Sequence, residues 1–397
     1  MNTKKTELKK ESSIMSLLFI ALMISNVLLL ISIVMDIVVV ERYMSYAVFG
    51  IGMVMFLYSW LIHRAFKPGD MFLFVLGGYL LLLAIFKDWN YNHLVVVGQF
   101  VLMLTAWRSS EYIGRRELIN KFILYMYVLL GGILLVLSLT PYAYTAYVDG
   151  TEISRELTLG FPNPNQTGIV IISTIIILTI SMKNDFAKGK AMPLLWIEIV
   201  LLSVILFLTN ARTCIVALVI YFGFYFAERS ISFRKWNPLY GASYKFFSIF
   251  TILSPLLFLF GYLWLSETQL KNVVLLGKKL FSGREILYRD VLSTWNDKIF
   301  GDLILFNFEN KHNILLTVMI NIGIIGLLLY LCYTIYSYLA FYKKCLKNNK
   351  LICCATILVF FIIGYAEASI LSGGTIYYVT LLVIMVLANY SKQQSEN

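Results

Sequence analysis

The 397-residue chain is 59% hydrophobic and 14% charged, with a formal net charge of +11 at pH 7. Long apolar runs recur from end to end without period-two alternation, which excludes a barrel and predicts an all-α polytopic membrane protein. The positive charge is not a nucleic-acid signal, because Lys and Arg cluster at the ends of apolar runs, as the positive-inside rule produces.

The first apolar run, 14–35, follows a basic segment. It is longer than a signal-peptide core and has no small-x-small cleavage site after it, so it reads as a retained span. About twelve spans follow from the hydropathy: 14–35, 43–62, 71–86, 94–107, 122–140, 167–182, 193–208, 213–227, 246–265, 313–341, 351–371 and 375–389. With the N-terminus inside, most of the 33 Lys and Arg residues fall in cytoplasmic segments. Each short outer connection holds a single basic residue: Arg42, Lys87, Arg155 or Arg212. The rule therefore places both termini in the cytoplasm, with a single polytopic domain over 1–397. The cysteines, Cys214, Cys332, Cys345, Cys353 and Cys354, have neither disulfide-framework nor zinc-site spacing.

In chain order, the first polar feature of interest is the outer loop 141–166, which ends Gly-Phe-Pro-Asn-Pro-Asn-Gln-Thr-Gly (160–168). Two prolines force extended backbone, and Asn165 is placed to cap the sixth span. A cap alone explains Asn165; a second role in binding sugar hydroxyls stands beside it. The turn Leu-Thr-Asn-Ala-Arg-Thr (208–213) joins the seventh and eighth spans. The two spans share too few residues to cross fully, so the turn is expected a few Å below the outer surface, where a basic side chain faces a cavity or snorkels.

The long outer loop 266–312, between spans nine and ten, carries basic residues nearly balanced by Glu267, Glu285, Asp290, Asp297, Asp302 and Glu309. Ser282 and Glu285 fit a capping box, with Phe281 and Ile286 as the staple. A short amphipathic helix is predicted from Gly283 to about Asn296, with Leu287, Val291 and Trp295 on its apolar face. Arg284 falls in its first turn, where free N–H groups and the helix dipole favour an anion. The loop closes on His312 and Asn313 at the mouth of span ten. Other polar residues within spans are Asn26, Gln99, Glu198, Asn321 and Glu367; Glu367 is a candidate partner for Arg212 or Arg284. His63 and His93 read as surface histidines. The chain contains no Walker loop, which argues against ATP-driven transport by this chain alone.

Arg212, Arg284 and His312 are thus the candidate catalytic residues, with Asn165, Arg289, Asn313 and Glu367 as candidate substrate-binding groups. Arginines grip phosphate with a planar fork, and a histidine near neutral pKa takes a proton from a hydroxyl. A lipid-borne pyrophosphate is the anion most naturally presented at a membrane face. When its bond to a sugar breaks, the arginines stabilise the developing charge. This chemistry calls for no metal and no cofactor.

Phe-Pro-Asn-Pro-Asn-Gln-Thr-Gly (161–168), Leu-Thr-Asn-Ala-Arg (208–212), Ser-Gly-Arg-Glu-Ile-Leu (282–287), and His-Asn-Ile-Leu-Leu (312–316) with Asn-Ile-Gly-Ile-Ile-Gly-Leu (321–327) resemble the O-antigen ligase and polymerase family in type and order. The resemblance covers mainly 160–330. It implies glycosyl transfer outside the cytoplasm from an undecaprenyl-pyrophosphate-linked saccharide, with the essential residues at Arg212, Arg284 and His312. It also implies flippase and chain-length regulator proteins as partners. The usual Ser-Arg is Ala-Arg here, which puts any hydroxyl role in doubt. A polysaccharide polymerase is the expectation; a ligase of the same family and a flippase of lipid-linked oligosaccharides are the alternatives.

Overall fold

The computed structural model describes residues 2–63, 68–87, 102, 105–110, 113, 116–149, 152–161, 163–184, 191–229, 242–275, 278–279, 284–302, 313–345, 350–365 and 374–388. His312, Glu367, the capping-box residues Phe281, Ser282 and Gly283, and nearly all of the predicted fourth span lie outside the described residues. The helices are α1 (Asn2–Val34), α2 (Val38–His63), α3 (Pro68–Lys87), α4 (Ala106–Ser110), α5 (Arg116–Ser138), α6 (Pro164–Lys183), α7 (Ala191–Leu208), α8 (Arg212–Arg229), α9 (Ala242–Leu265), α10 (Arg284–Thr294), α11 (Ile314–Lys344), α12 (Lys350–Ile363) and α13 (Gly374–Ala388). Seven are long and apolar enough to cross a membrane, those of α1, α2, α5, α6, α7, α9 and α11. Shorter apolar helices occupy Asp70–Leu83, Lys350–Ile363 and Tyr378–Ala388.

The bundle is built around α6. Every residue from Thr167 to Met182 is buried, as expected for a helix apolar on all sides. Its threonine hydroxyls are satisfied within the bundle. Thr174 donates to the Val170 carbonyl at 2.8 Å, and Thr179 pairs with the Tyr221 hydroxyl of α8 at 2.6 Å. α5, α7, α8 and α13 pack around α6, and α12 lies along α8. At one end of the bundle Lys183 of α6 is ion-paired with Glu228 of α8. Asn184, the C-cap of α6, reaches the Leu387 carbonyl of α13 at 2.8 Å at the same end. The opposite end carries Arg212.

Two elements depart from simple spans. The loop after α5 contains an antiparallel hairpin, β1 (Tyr144–Asp149) paired with β2 (Glu152–Leu157), which the lack of long period-two alternation had concealed. It is tied to the start of α6, where the Thr167 hydroxyl donates to the Thr158 carbonyl. A shorter hairpin, β3 (Val274–Leu275) with β4 (Lys278–Lys279), follows α9.

The second departure lies in α11, predicted as one uninterrupted span. It is broken at Gly323, which has φ +67. The segment 298–302 docks into the break. Asp302 N–H donates to the Ile320 carbonyl at 2.9 Å, Ile324 N–H to the Lys298 carbonyl at 3.0 Å, and Ile325 N–H to the Ile299 carbonyl at 3.3 Å. The Tyr79 hydroxyl of α3 donates toward the Ile322 and Phe300 carbonyls at 2.8 and 3.2 Å. A Cβ on Gly323 would stand 2.1 Å from the Ile299 oxygen, and one on Gly301, at φ +88, would stand 2.4 Å from the Asn321 oxygen. Only glycine allows this approach of two backbones. The docked loop is itself folded on carboxylates. Asp302 accepts from Asn296 and Asp297 N–H at 3.0 and 2.7 Å, and Asp297 Oδ1 accepts from Ile299 and Phe300 N–H at 3.2 and 2.9 Å.

Candidate functional site

The motifs singled out in the sequence meet at the Arg212 end. The first two touch directly. Gly168 of α6 leaves room for the turn before α8: a Cβ there would lie 2.9 Å from both the Ala211 Cβ and the Cys214 Sγ. Ala211 is wholly buried in that contact, so residue 211 faces α6. The turn itself forms because Asn210 adopts a left-handed conformation (φ 56) and Thr209 Oγ1 accepts from Ala211 N–H at 3.2 Å. Arg212 emerges half-buried as the first residue of α8.

The third motif supplies Arg284, in the first turn of α10. Arg212 lies just before the predicted eighth span. Partial burial pulls its pKa down first, the nearby Arg284 pulls it down further, and Tyr262 of α9 acts in the opposite direction. A guanidinium stays cationic under such pressure. Residues from α8, α9 and α10 therefore share one electrostatic neighbourhood. Tyr288, fully buried, anchors α10 to it. Its ring meets that of Tyr262 at 5.6 Å and 62°, and its hydroxyl points to the Tyr365 carbonyl at 3.4 Å. Leu287, Val291 and Trp295 are half-buried, while Arg289, Asp290 and Ser293 are exposed, the amphipathic arrangement expected. Ile286, assigned to the staple, is instead 62% exposed.

The fourth motif enters through Asn313, which is completely buried. As N-cap of α11 its Oδ1 accepts from Leu315 and Leu316 N–H at 3.1 and 3.0 Å. Its Nδ2 donates to the Pro255 carbonyl of α9 at 3.0 Å and toward the Tyr365 carbonyl at 3.4 Å. The amide is thus committed to protein groups, and Asn313 positions the helix start rather than presenting a free amide. Pro255 lies ten residues before the end of α9, about 15 Å along the axis at the rise of an α-helix, so α11 begins well inside the bundle. Pro255 also deprives the Thr251 carbonyl of its helical donor. Ser254 Oγ supplies a replacement at 2.6 Å and accepts in turn from the Tyr365 hydroxyl at 2.5 Å. Phe258 stacks on Tyr365 at 4.9 Å and 17°.

One capping assignment changes in the structure. Asn163, not Asn165, is the N-cap of α6; its Oδ1 accepts from Asn165 N–H at 2.7 Å because Pro164 occupies the first helical position. Asn165 is half-buried one residue further on, with its carbonyl 3.9 Å from the Cys214 Sγ. Arg289 turns from the cluster to Glu267 and Ser266, at 3.0 and 3.3 Å. His312 and Glu367 are next to, or near, described residues of the cluster in the chain, but their own placement lies outside the described residues.

Sequence reading missed Tyr262, Tyr288, Tyr365 and Pro255, which carry no signal at the level of motif spacing. It also did not single out Asp70 and Arg108. They form an ion pair at 3.5 Å, each only 1% exposed. Among the described residues no cluster of His, Cys, Asp and Glu has the makings of a metal site. A scan against protein-family models gives no match, and no curated protein and no solved structure matches the chain.

Proposed function

We propose that the chain is a polysaccharide polymerase that transfers lipid-pyrophosphate-linked saccharide chains onto an acceptor lipid-linked repeat unit. The observation that carries the reading is the meeting of Arg212 and Arg284. They are distant in sequence and stand on different helices, and Arg284 is near enough to lower the pKa of Arg212 beside Tyr262. Bringing two guanidiniums together costs energy in the absence of an anion and becomes favourable when one binds between them. A pyrophosphate leaving group gains charge as its glycosidic bond breaks, so this arrangement stabilises the transition state more than the ground state. His312, adjacent in the chain to the fixed Asn313, takes the proton of the attacking hydroxyl. The single displacement inverts the donor carbon and needs no metal.

In this reading the chain crosses a bacterial plasma membrane about twelve times. Both termini are cytoplasmic and the Arg212 end faces outward, which also puts the Lys183–Glu228 pair at the cytoplasmic side. A flippase and a chain-length regulator are its expected protein partners. A ligase of the same chemistry differs only in acceptor. A transporter reading draws on the Asp70–Arg108 pair, because ionisable pairs inside a membrane bundle often mark a transport path.

Deletion of the gene separates these. Single lipid-linked repeat units accumulating on the outer leaflet indicate a polymerase, accumulation on the inner leaflet a flippase, and full-length polymer retained on its lipid a ligase. Arg284→Ala and His312→Ala are each expected to abolish chain extension while the protein still inserts. Normal polymer length in both variants would refute the assignment.

A further inference from the structure

Beside the arginine pair sits a group that the proposed chemistry does not use. Glu285 follows Arg284 in the first turn of α10 and is half-buried. Its Oε2 is shielded from solvent and accepts no hydrogen bond from the described residues. A carboxylate is purely an acceptor, and one held in a partly dry site without donors is unfavourable until something supplies them. The donor is not another anion, which Glu285 would repel. The neighbouring surface is aromatic. Tyr262 is half-buried, with the Phe258 and Tyr288 rings at 5.4 and 5.6 Å, and Tyr288 stands one turn beyond Glu285 on α10. A carboxylate beside aromatic faces suits a ligand with hydroxyl donors on its edge and C–H groups on its face. A sugar ring has both.

Resting on the reading of Arg212 and Arg284 as the diphosphate site, we infer that Glu285 and Tyr262 form the acceptor-saccharide subsite. Glu285 accepts from the sugar hydroxyls, and the Tyr262 ring covers the C–H face. The cluster is then divided by charge. The donor's diphosphate lies on the arginine side and the uncharged acceptor ring on the Glu285 side. Glu285 is a specificity residue in this arrangement, acting on the acceptor and not on the departing group.

The test uses full-length protein in nanodiscs. The probe is the repeat-unit oligosaccharide released by mild acid from the cell's own lipid-linked pool, with binding read by saturation-transfer NMR. Glu285→Gln and Tyr262→Leu are each expected to weaken binding by at least about tenfold, the loss of one or two good contacts. Glu285→Asp recovers part of it. Stabilisation of the protein by inorganic pyrophosphate stays at the wild-type level in Glu285→Gln. Wild-type binding in a folded Glu285→Gln, or no binding of the oligosaccharide by wild-type protein, overturns the subsite. If Glu285→Gln does not fold, Tyr262→Leu alone decides on the same criterion. Oligosaccharide binding that depends on Glu285, without any transfer by wild-type protein, leaves the subsite standing and removes the polymerase reading. Transfer whose acceptor KM ignores Glu285→Gln does the reverse.

Discussion

At the end of the bundle marked by Glu228, Lys183 of α6 meets Glu228 of α8 in an ion pair. Between α3 and α4, buried Arg108 is likewise answered by Asp70. At the opposite end of those same helices α6 and α8, the charge acting on Arg212 is a second arginine, Arg284. The backbone differs in parallel. α6 runs unbroken through the middle, whereas α9 carries Pro255 within it and α11 is broken at Gly323. Cations closed by carboxylates within the protein are part of its structure. Cations set against each other favour a bound anionic ligand. Discontinuous helices that place polar groups inside a membrane bundle serve the same purpose in transporters.

The contrast predicts opposite consequences of mutation at the two kinds of site. The largest loss of stability is expected from Gly323→Val. It places a branched side chain at φ +67 against the Ile299 carbonyl and should leave little monodisperse protein after detergent extraction. Next comes Asp70→Ala, which strands a buried guanidinium and is expected to cost roughly 3–5 kcal/mol, read as a marked fall in melting temperature. The double variant Asp70→Leu with Arg108→Met should recover much of that loss, and failure to recover would assign the pair more than a structural role. The smallest effect is that of Tyr79→Phe. It removes one donor to the Ile322 and Phe300 carbonyls and should cost about 1 kcal/mol. Faster hydrogen exchange confined to 298–302 and 320–325 would sharpen the comparison by showing that the break is a separable unit.

These outcomes also bear on how far the sequence could be read. Helix positions were legible because hydropathy is a local property: helices lie in eleven of the twelve predicted intervals, seven of them long and apolar enough to cross a membrane, and the other interval lies largely outside the described residues. The placing of Arg212 and Arg284 at helix starts was legible because a turn and a helix start are local too. The helix 283–296 was right in face and within two residues in extent. What escaped depended on tertiary contacts. Gly323 looks like any glycine in an apolar run until Gly301 is seen against it. Asn165 and Asn163 are equivalent caps by composition, and only the position of Pro164 separates them. Asp70 and Arg108 look like ordinary span-end charges, because burial of such residues is decided by partners elsewhere in the chain. Tyr262 belongs to the cluster through the angle at which α9 and α10 meet, which no spacing encodes.

The central claim is that Arg212 and Arg284 form one anion site, and a double-mutant cycle on pyrophosphate binding tests it most directly. Inorganic pyrophosphate is titrated into wild-type protein, Arg212→Ala, Arg284→Ala and the double variant in nanodiscs, with affinity read from the shift in melting temperature. The account predicts that each single variant loses most of the binding, that the double variant loses little more, and that unliganded melting temperatures are unchanged or slightly higher as repulsion is relieved. Equal binding by wild type and both single variants, or losses that simply add, would contradict it.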